Sequence, residues 1–310
     1  MPETTISHSN SQSSGAQPLA ILRALFSAMR PRQWTKNGFV FAALIFDGQL
    51  FNLDSLLRSL LALVCFCLIS STGYLINDLA DIEKDRQHPT KRLRPLAAGV
   101  LPPWVAIAAA VLFVAICLPV AYRLDGLFSA ILFGYLALTL SYTFYLKHIV
   151  IVDLIVVATG FVLRVAGGVA VIRVARFSPW MYVCMALLAL FMIMGKRRHE
   201  LTLLTDSAAH HRAILEDYTV RFLDEMIAMV TASLVMAYSL YTFSAPNMPA
   251  NHTMMLTIPF VIYGLFRYLY LIHVKELGGA PEELLLRDWP LLIDVLLWVA
   301  VVVTALYFWR

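Results

Sequence analysis

Three aspartates and an asparagine stand at regular spacing where a long apolar stretch ends: Asn77, Asp78, Asp81 and Asp85. In a helix, the aspartates fall at i, i+3 and i+7, so their carboxylates share one face and repel each other. Hard oxygen ligands of this kind suit Mg²⁺ bridging to a phosphate, and a bound cation relieves the repulsion. The spacing predicts a magnesium and phosphate site. The alternative is a solvated helix end with mixed charges.

Basic residues follow the acidic motif at once, as Lys91, Arg92 and Arg94. Cations this close to the acids suit an anionic ligand better than a free metal ion. The sequence contains no Walker-type glycine loop, no HExxH motif and no Ser/His/Asp arrangement. The adjacent pair His210-His211 is typical of a solvated loop rather than of a metal site.

A second basic stretch precedes the first predicted span. Arg30, Arg32 and Trp34 are explained by anchoring at the headgroup level, where Trp and basic residues are enriched. Lys36 and Asn37 lie at the mouth of the span. They are candidates to hold a phosphate, with interfacial anchoring as the alternative.

Charged residues also lie at and within the fifth predicted span. Lys147 closes the fourth span, and Asp153 and Arg164 follow about three turns apart on one helix face, too far apart to pair. Charged side chains inside a span normally face a cavity or a partner, so they are functional candidates. For Arg164 a structural ion pair stays open. Close helix packing is predicted at three glycines, Gly160, Gly167 and Gly168.

The sixth predicted span ends in Lys196, Arg197, Arg198, His199 and Glu200. Lys196 and Glu200 are one turn apart, which predicts an ordinary salt bridge, and three cations at a span end also suit anchoring. We favour a second polar wall, made of Lys196, Arg197 and Glu200, opposite the aspartate face. The later loop 278–288, with Pro281 before two acids, is typical of a short helix start with a structural role.

Composition places the whole chain in a membrane. Of its 310 residues 60% are hydrophobic and only 14% are charged, and the mean hydropathy is +0.74. A soluble domain of this size could not bury so much apolar surface. We expect an all-α integral membrane protein, a bundle of about nine transmembrane helices. The predicted spans are 38–53, 56–77, 103–122, 126–146, 149–172, 180–195, 222–243, 254–272 and 289–309.

The remaining segments predict one domain. Residues 1–18 are rich in Ser, Gln, Thr and Asn and predict a disordered tail, followed by a single transmembrane catalytic domain over 19–310. Within it, residues 19–33 repeat apolar side chains at helical spacing beside arginines, which predicts an interfacial amphipathic helix; a simple packing helix is the alternative. The four cysteines all fall within spans and are interpreted as buried thiols, not disulfides: Cys65, Cys67, Cys117 and Cys184.

Basic residues concentrate in one set of loops, which by the positive-inside bias is cytoplasmic. The N-terminus and the acidic motif then face the cytosol, and with nine spans the C-terminus lies outside. A water-soluble phosphorylated substrate could reach the site from there. We expect a multi-pass protein of the cell (inner) membrane.

These residues resemble the UbiA-type superfamily of intramembrane prenyltransferases. Its NDxxDxxxD signature lies at the cytoplasmic end of the second of nine helices, and Asn77, Asp78, Asp81 and Asp85 match it position for position. Four further stretches resemble the decaprenyl-phosphate phosphoribosyltransferase branch: RPRQWTKN, HPTKRLRPLAAG, GKRRHEL and APEELLLRD. The resemblance covers essentially everything after the tail.

One departure from ordinary prenyltransferases supports that branch. They carry a second aspartate-rich motif after the sixth helix, where this chain has Lys196, Arg197 and Glu200, with Asp206 further on. A site that holds a diphosphate, a ribose 5-phosphate and a lipid phosphate must neutralise many anionic oxygens, which Lys and Arg do.

The resemblance implies a Mg²⁺-dependent enzyme that transfers 5-phosphoribose from 5-phosphoribosyl-1-diphosphate to a polyprenyl (decaprenyl) phosphate and releases diphosphate, as in building cell-wall arabinan precursors. It implies catalytic, metal-binding roles for Asp78, Asp81 and Asp85. The expected substrate-binding residues are Asn77, Lys36, Lys91, Arg92, Arg94, Lys147, Asp153, Arg164, Lys196, Arg197 and Glu200. Membrane lipids are expected partners and nucleic acid is not; a homo-oligomer is left open.

Two other functions stay open at this point. The first is a UbiA-type prenyltransferase that moves a prenyl group from a prenyl diphosphate to an aromatic acceptor, which the missing second aspartate motif disfavours. The second is a transporter or flippase, whose polar groups should lie near the bilayer midplane in repeated halves. The sequence shows no internal repeat, and its charges gather at one face.

Overall fold

The structure, a computed structural model, describes residues 16–174, 178–204, 217–279, 284–285 and 287–309. In these ranges the regular structure is helical, and eight helices are long and apolar enough to cross a membrane. The predicted all-α membrane bundle is confirmed. Four residues considered above lie outside the described ranges: Asp206, His210, His211 and Pro281.

The helices follow each other with short connections. In chain order the α-helices are α1 (Ala16–Ala28), α2 (Ala42–Phe46), α3 (Leu53–Ala80), α4 (Ile82–Gln87), α5 (Pro103–Leu124), α6 (Gly126–Phe144), α7 (Val152–Ile172), α8 (Pro179–Leu204), α9 (Val220–Ser244), α10 (Ile258–His273) and α11 (Trp289–Tyr307). A 3-10 helix over Pro31–Phe41 joins α1 to α2, and a 3-10 turn over Leu146–His148 joins α6 to α7.

The predicted first span, 38–53, is wrong in position and helix type. The chain there forms the 3-10 helix and then α2, which ends at Phe46. At one end Arg30 contacts Asp78 near the end of α3, and at the other Gln49 accepts a hydrogen bond from Ser55 near its start. The segment therefore runs antiparallel to α3. Because a 3-10 helix rises about 2.0 Å per residue, Pro31 to Phe46 covers roughly 30 Å.

The nine predicted helices are thus corrected, within the described residues, to eight long helices and this antiparallel segment. The segment packs unusually close to α7. A Cβ atom at Gly168 would overlap the carbonyl oxygen of Val40, and one at Gly167 would lie 2.6 Å from the Phe66 ring. The close packing predicted at these two glycines is confirmed.

The N-terminal helix ends earlier than the predicted range 19–33. Residues 16–18, predicted within the tail, already belong to α1, and α1 ends at Ala28. Arg30 has φ 56°, a left-handed conformation between the end of α1 and Pro31. Small side chains of α1 are buried, whereas Leu19 and Leu22 are exposed, as an interfacial helix requires.

Helix α7 is the centre of the bundle, since it packs against α3, α6, α8 and the 3-10 helix. One apolar core fills the space among α7, α8, α9 and α10, and a second lies among α3, α6 and α7. All four cysteines are buried and free, as predicted. The end of α3, the start of α7 and the end of α8 consequently meet on one side of the bundle.

Candidate functional site

Two of the three aspartates converge on one cationic nitrogen. Nη1 of Arg94 lies 2.6 Å from Oδ2 of Asp85 and 3.1 Å from Oδ1 of Asp78. Both carboxylates are buried, and the arginine comes from the loop after α4. The basic residue thus occupies the point toward which the two carboxylate groups are directed.

Asp81 has a different partner from Asp78 and Asp85. The helix is interrupted there, with φ −101° and ψ 8°, so Asp81 lies between α3 and α4. Its carboxylate lies 3.4 Å from Nζ of Lys147, in the turn between α6 and α7. The three carboxylates thus have two sets of partners: Arg94 bridges Asp78 and Asp85, and Lys147 pairs with Asp81. Repulsion between like charges is reduced because separate cations pair with them.

Arg30 is a site residue that the sequence analysis assigned to headgroup anchoring. Its Nη2 lies 2.5 Å from Oδ1 of Asp78, and its guanidinium lies over the Tyr74 ring at 4.8 Å from the centroid. A basic residue beside Trp34 gives the same sequence signal whether it faces lipid or turns inward. The left-handed backbone at Arg30 turns the chain into the antiparallel segment Pro31–Phe46, which we call the crossing segment.

The paired carboxylates have the chemistry of a divalent cation site. Oxygens of Asp78 and Asp85 already face a shared cation at hydrogen-bond distance. In the described part of the chain, no three His, Cys, Asp or Glu side chains group as metal ligands. Mg²⁺ commonly takes only one or two protein carboxylates and completes its shell with waters and substrate phosphates. The donor set of Asp78 and Asp85 therefore fits Mg²⁺ with a diphosphate.

A second polar cluster lies where α7 begins and α8 ends. Arg197 places Nη2 at 3.2 Å from Asp153 and Nη1 at 2.9 Å from Glu200, so Glu200 pairs with Arg197 and not with Lys196 as predicted. The Tyr218 hydroxyl donates to Asp153 at 2.8 Å. Burial raises the pKa of the Tyr218 phenol, so this hydroxyl stays protonated.

Asp153 is completely buried and bound by two protein donors, so the direct substrate contact predicted for it is not supported. Tyr218 was missed in the sequence because an isolated tyrosine in a connection carries no pattern. Its hydroxyl also accepts the backbone N–H of Ile151 at 2.7 Å. Ile151 has φ 69°, a strained value for a β-branched residue. The connection from Lys147 to Ile151 therefore contacts both polar clusters.

Arg164 contacts protein groups and not the acid cluster. Its Nε donates to Oδ1 of Asn37 at 2.7 Å, Nη1 to the Gly160 carbonyl at 2.7 Å and Nη2 to the Tyr135 hydroxyl at 2.8 Å. Only 6% of the residue is exposed. The direct substrate contact predicted for Arg164 is corrected to an internal role, and Asn37 is likewise buried as its partner.

The other predicted ligands border these clusters with partial access. Half-buried side chains are Asn77, Lys36, Lys91 and Lys196, and Arg92 is exposed. In the last loop, Gly278 packs against His199, where a Cβ would lie 2.8 Å from that of the histidine. Asp288 accepts from Leu291 and caps α11, in line with a structural role for the end of this loop.

Three curated relatives are similar over nearly their full length. Decaprenyl-phosphate phosphoribosyltransferase from Mycolicibacterium smegmatis is 37% identical over 96% of each chain. The protein of the same name from Corynebacterium glutamicum is 37% identical over 99% of this chain and 93% of its own. The one from Mycobacterium tuberculosis is 36% identical over 94% and 97%, respectively.

Solved structures share the fold at low identity. A UbiA homolog from Archaeoglobus fulgidus bound to GPP and Mg²⁺ aligns with a TM-score of 0.69 and 18% identity, covering 91% of this chain and 99% of that chain. The apo UbiA homolog from Aeropyrum pernix K1 aligns with a TM-score of 0.58 and 17% identity, covering 91% and 98%. The sequence profile of the UbiA prenyltransferase family matches residues 38–287. The chain therefore belongs to the UbiA prenyltransferase family.

Proposed function

We propose that this protein transfers the 5-phosphoribosyl group from 5-phosphoribosyl-1-diphosphate to a polyprenyl phosphate, and that the reaction depends on Mg²⁺. The observation that carries the proposal is the convergence of Asp78 and Asp85 on one cationic position, surrounded by basic side chains. The names of the curated relatives support the same reaction and the decaprenyl acceptor.

Asp78 and Asp85 would hold the metal ion, which when bound neutralises the diphosphate leaving group. Arg94 would then turn from the carboxylates to the diphosphate oxygens, which are the stronger acceptors for its guanidinium. Asp81 keeps Lys147 at 3.4 Å and so positions a further cation beside the leaving group. Asp78 and Asp85 would thus bind the metal ion, and Asp81 would position the charge of Lys147.

Bond formation requires little from the protein beyond positioning. The C1–O bond to diphosphate breaks, an oxygen of the lipid phosphate bonds to the anomeric carbon, and the transition state resembles an oxocarbenium ion, as in other glycosyl transfers. The lipid phosphate is already an anion near neutral pH, so a general base is not required. Lys36, Lys91, Arg92 and Lys196 supply positive charge to align the two anionic substrates.

The site must admit one substrate from water and one from lipid. The protein is an integral membrane protein with its polar clusters on one side of the bundle. We place this side in the cytosol because the basic loops lie on it, and the basic loops of membrane proteins are usually cytoplasmic. The phosphoribosyl donor would then enter from the cytosol while the polyprenyl chain stays in the bilayer.

The test uses membranes that contain the full-length protein, labelled phosphoribosyl diphosphate and added polyprenyl phosphate, with or without Mg²⁺. Labelled lipid that forms only with metal and only with the lipid acceptor supports the proposal. A parallel reaction offers a prenyl diphosphate and an aromatic acceptor. Consumption of the prenyl diphosphate without any labelled lipid would contradict the proposal and favour the aromatic prenyltransferase activity.

A further inference from the structure

Helix α3 presents a polar face to the 3-10 helix and to Arg30 along its C-terminal half. The residues on this face recur at helical spacing: Cys67, Ser70, Ser71, Tyr74 and Asp78. Together with their partners on the 3-10 helix and its N-terminal neighbour Arg30 they form what we call the polar seam. It begins inside the bundle and ends at the metal-site carboxylate Asp78.

Each part of the seam is a specific contact. Nδ2 of Asn37 donates to Oγ of Ser70 at 3.2 Å and to the Cys67 sulfur at 3.3 Å. Nε1 of Trp34 donates to Oγ of Ser71 at 3.1 Å. At the end of the seam Arg30 pairs with Asp78. The seam therefore fixes both the rotation and the height of the 3-10 helix against α3.

The crossing segment needs this support because of its helix type. Runs of 3-10 helix longer than about four residues are uncommon, since their hydrogen bonds have poorer geometry. This one extends over 11 residues, from Pro31 to Phe41. Its own backbone bonds hold it weakly, so side-chain contacts must determine where Arg30 and Lys36 lie.

Arg164 secures the inner end of the seam. Asn37 is fully buried, and its amide oxygen accepts from Nε of Arg164 at 2.7 Å while its amide nitrogen donates to α3. A charge-assisted hydrogen bond of this kind is roughly twice as strong as a neutral one. The other two guanidinium nitrogens donate to Gly160 and Tyr135, and the guanidinium also lies over the Tyr135 ring, a contact that a phenylalanine at this position would keep.

We propose that Arg164 is a positioning residue: through Asn37 it sets the register of the 3-10 helix, which places Arg30 on Asp78 and Lys36 beside the site. The inference rests on the proposed function only where it concerns substrate affinity. Its structural part, the register of the 3-10 helix, stands independently of the reaction.

Two single variants separate positioning from simple stabilisation. Arg164→Met cuts the link from Arg164 to the 3-10 helix and leaves the Asn37 groups that bond to α3 in place, whereas Tyr135→Phe removes another Arg164 contact and leaves that link intact. Spin labels on the exposed residues Thr35 and Glu83 report the distance between the 3-10 helix and α4 in the full-length protein. The four native cysteines are buried and do not compete for labelling.

We expect Asn37→Leu and Arg164→Met to shift or broaden the distribution of distances between the labels. Both variants should also raise KM for phosphoribosyl diphosphate about tenfold, as for loss of a charge-assisted hydrogen bond, with a smaller change in kcat. Tyr135→Phe should leave both quantities unchanged.

An unchanged label distance in Asn37→Leu would overturn the inference, as would an equal disturbance in Tyr135→Phe. If Arg164→Met does not fold, Asn37→Leu still tests the inference, because an unchanged label distance in that variant contradicts it. If the label distances respond as expected but even the unmodified protein transfers no phosphoribose, then the proposed function fails and the positioning role remains.

Discussion

Arg30 and Asp78 form an ion pair across 48 positions of the chain, with 2.5 Å between Nη2 and Oδ1. The pair joins the start of the 3-10 helix to the end of α3. Because Asp78 also contacts Arg94, its carboxylate binds two guanidinium groups, one from a residue before it in the chain and one from a residue after it. The acid cluster is thus completed by a residue that precedes the first crossing of the bundle.

Removing the Arg30 charge should weaken the site without unfolding the bundle. We predict that Arg30→Gln lowers kcat/KM for phosphoribosyl diphosphate by roughly 10- to 100-fold, which corresponds to a lost hydrogen bond to a charged group. The matched control is Arg32→Gln, since Arg32 is exposed two positions along the same segment. Steady-state kinetics on both variants check the prediction. Equal losses in the two would show that only general positive charge matters.

Asp85 and Asp81 should respond differently to neutralisation. We predict that Asp85→Asn weakens Mn²⁺ binding, measured by paramagnetic resonance in the presence of diphosphate, and lowers turnover by about 10²–10³, as for loss of an electrostatic stabiliser. Asp81→Asn should leave Mn²⁺ affinity nearly unchanged and raise KM, because it releases Lys147. Equal loss of Mn²⁺ affinity in both variants would favour three metal ligands.

Arg94 competes with a metal ion for the same two carboxylates. We predict that Arg94→Gln binds Mn²⁺ about tenfold more tightly than the unmodified protein when diphosphate is absent, which corresponds to a change of about 1.4 kcal/mol in binding free energy. Its turnover should fall. Arg86→Gln serves as the control, because Arg86 pairs with Glu83 instead. Weaker Mn²⁺ binding in Arg94→Gln would mean that Arg94 organises the site and does not compete.

Tyr218 should stabilise the junction of α7 and α8 in a pH-dependent way. We predict that Tyr218→Phe lowers the free energy of unfolding by roughly 1–3 kcal/mol, since the carboxylate of Asp153 loses a buried donor. Burial raises the pKa of the Tyr218 phenol, so its contribution is complete below the ordinary value of about 10 and is lost as pH rises above it. Thermal melts should show a constant difference between about pH 6 and pH 9 that narrows at higher pH.

The sequence was sufficient to predict the helical bundle and to single out the acidic end of α3. Regular acid spacing after an apolar run made Asp78 and Asp85 recognisable, and Arg94 was among the expected ligands. The partner of Asp81 was not predictable, because Lys147 comes from another turn of the chain. Spacing within one helix carries no information about a partner from a different element.

Partner choice was the main limit of sequence reasoning. Charged residues of α7 and α8 were recognised as important, but the partners of Asp153 and Arg164 lie 44 and 127 positions away, at Arg197 and Asn37. Local periodicity carries no information about such pairs. The first crossing was predicted too late in the chain, at 38–53, for a related reason: apolar windows identify α-helical spans, whereas the 3-10 helix contains Asn37, whose polarity is satisfied only by tertiary contacts.

The order of the two arginines around Asp78 has a consequence for how the chain enters the membrane. Synthesis proceeds from the N-terminus, so Arg30 has already been made when Asp78 is added, and Arg94 follows only 16 residues later. A counter-ion is available while α3 is being inserted, which lowers the cost of bringing a carboxylate to the bilayer edge. The bridge to Asp85 closes afterwards, when the basic loop emerges from the ribosome.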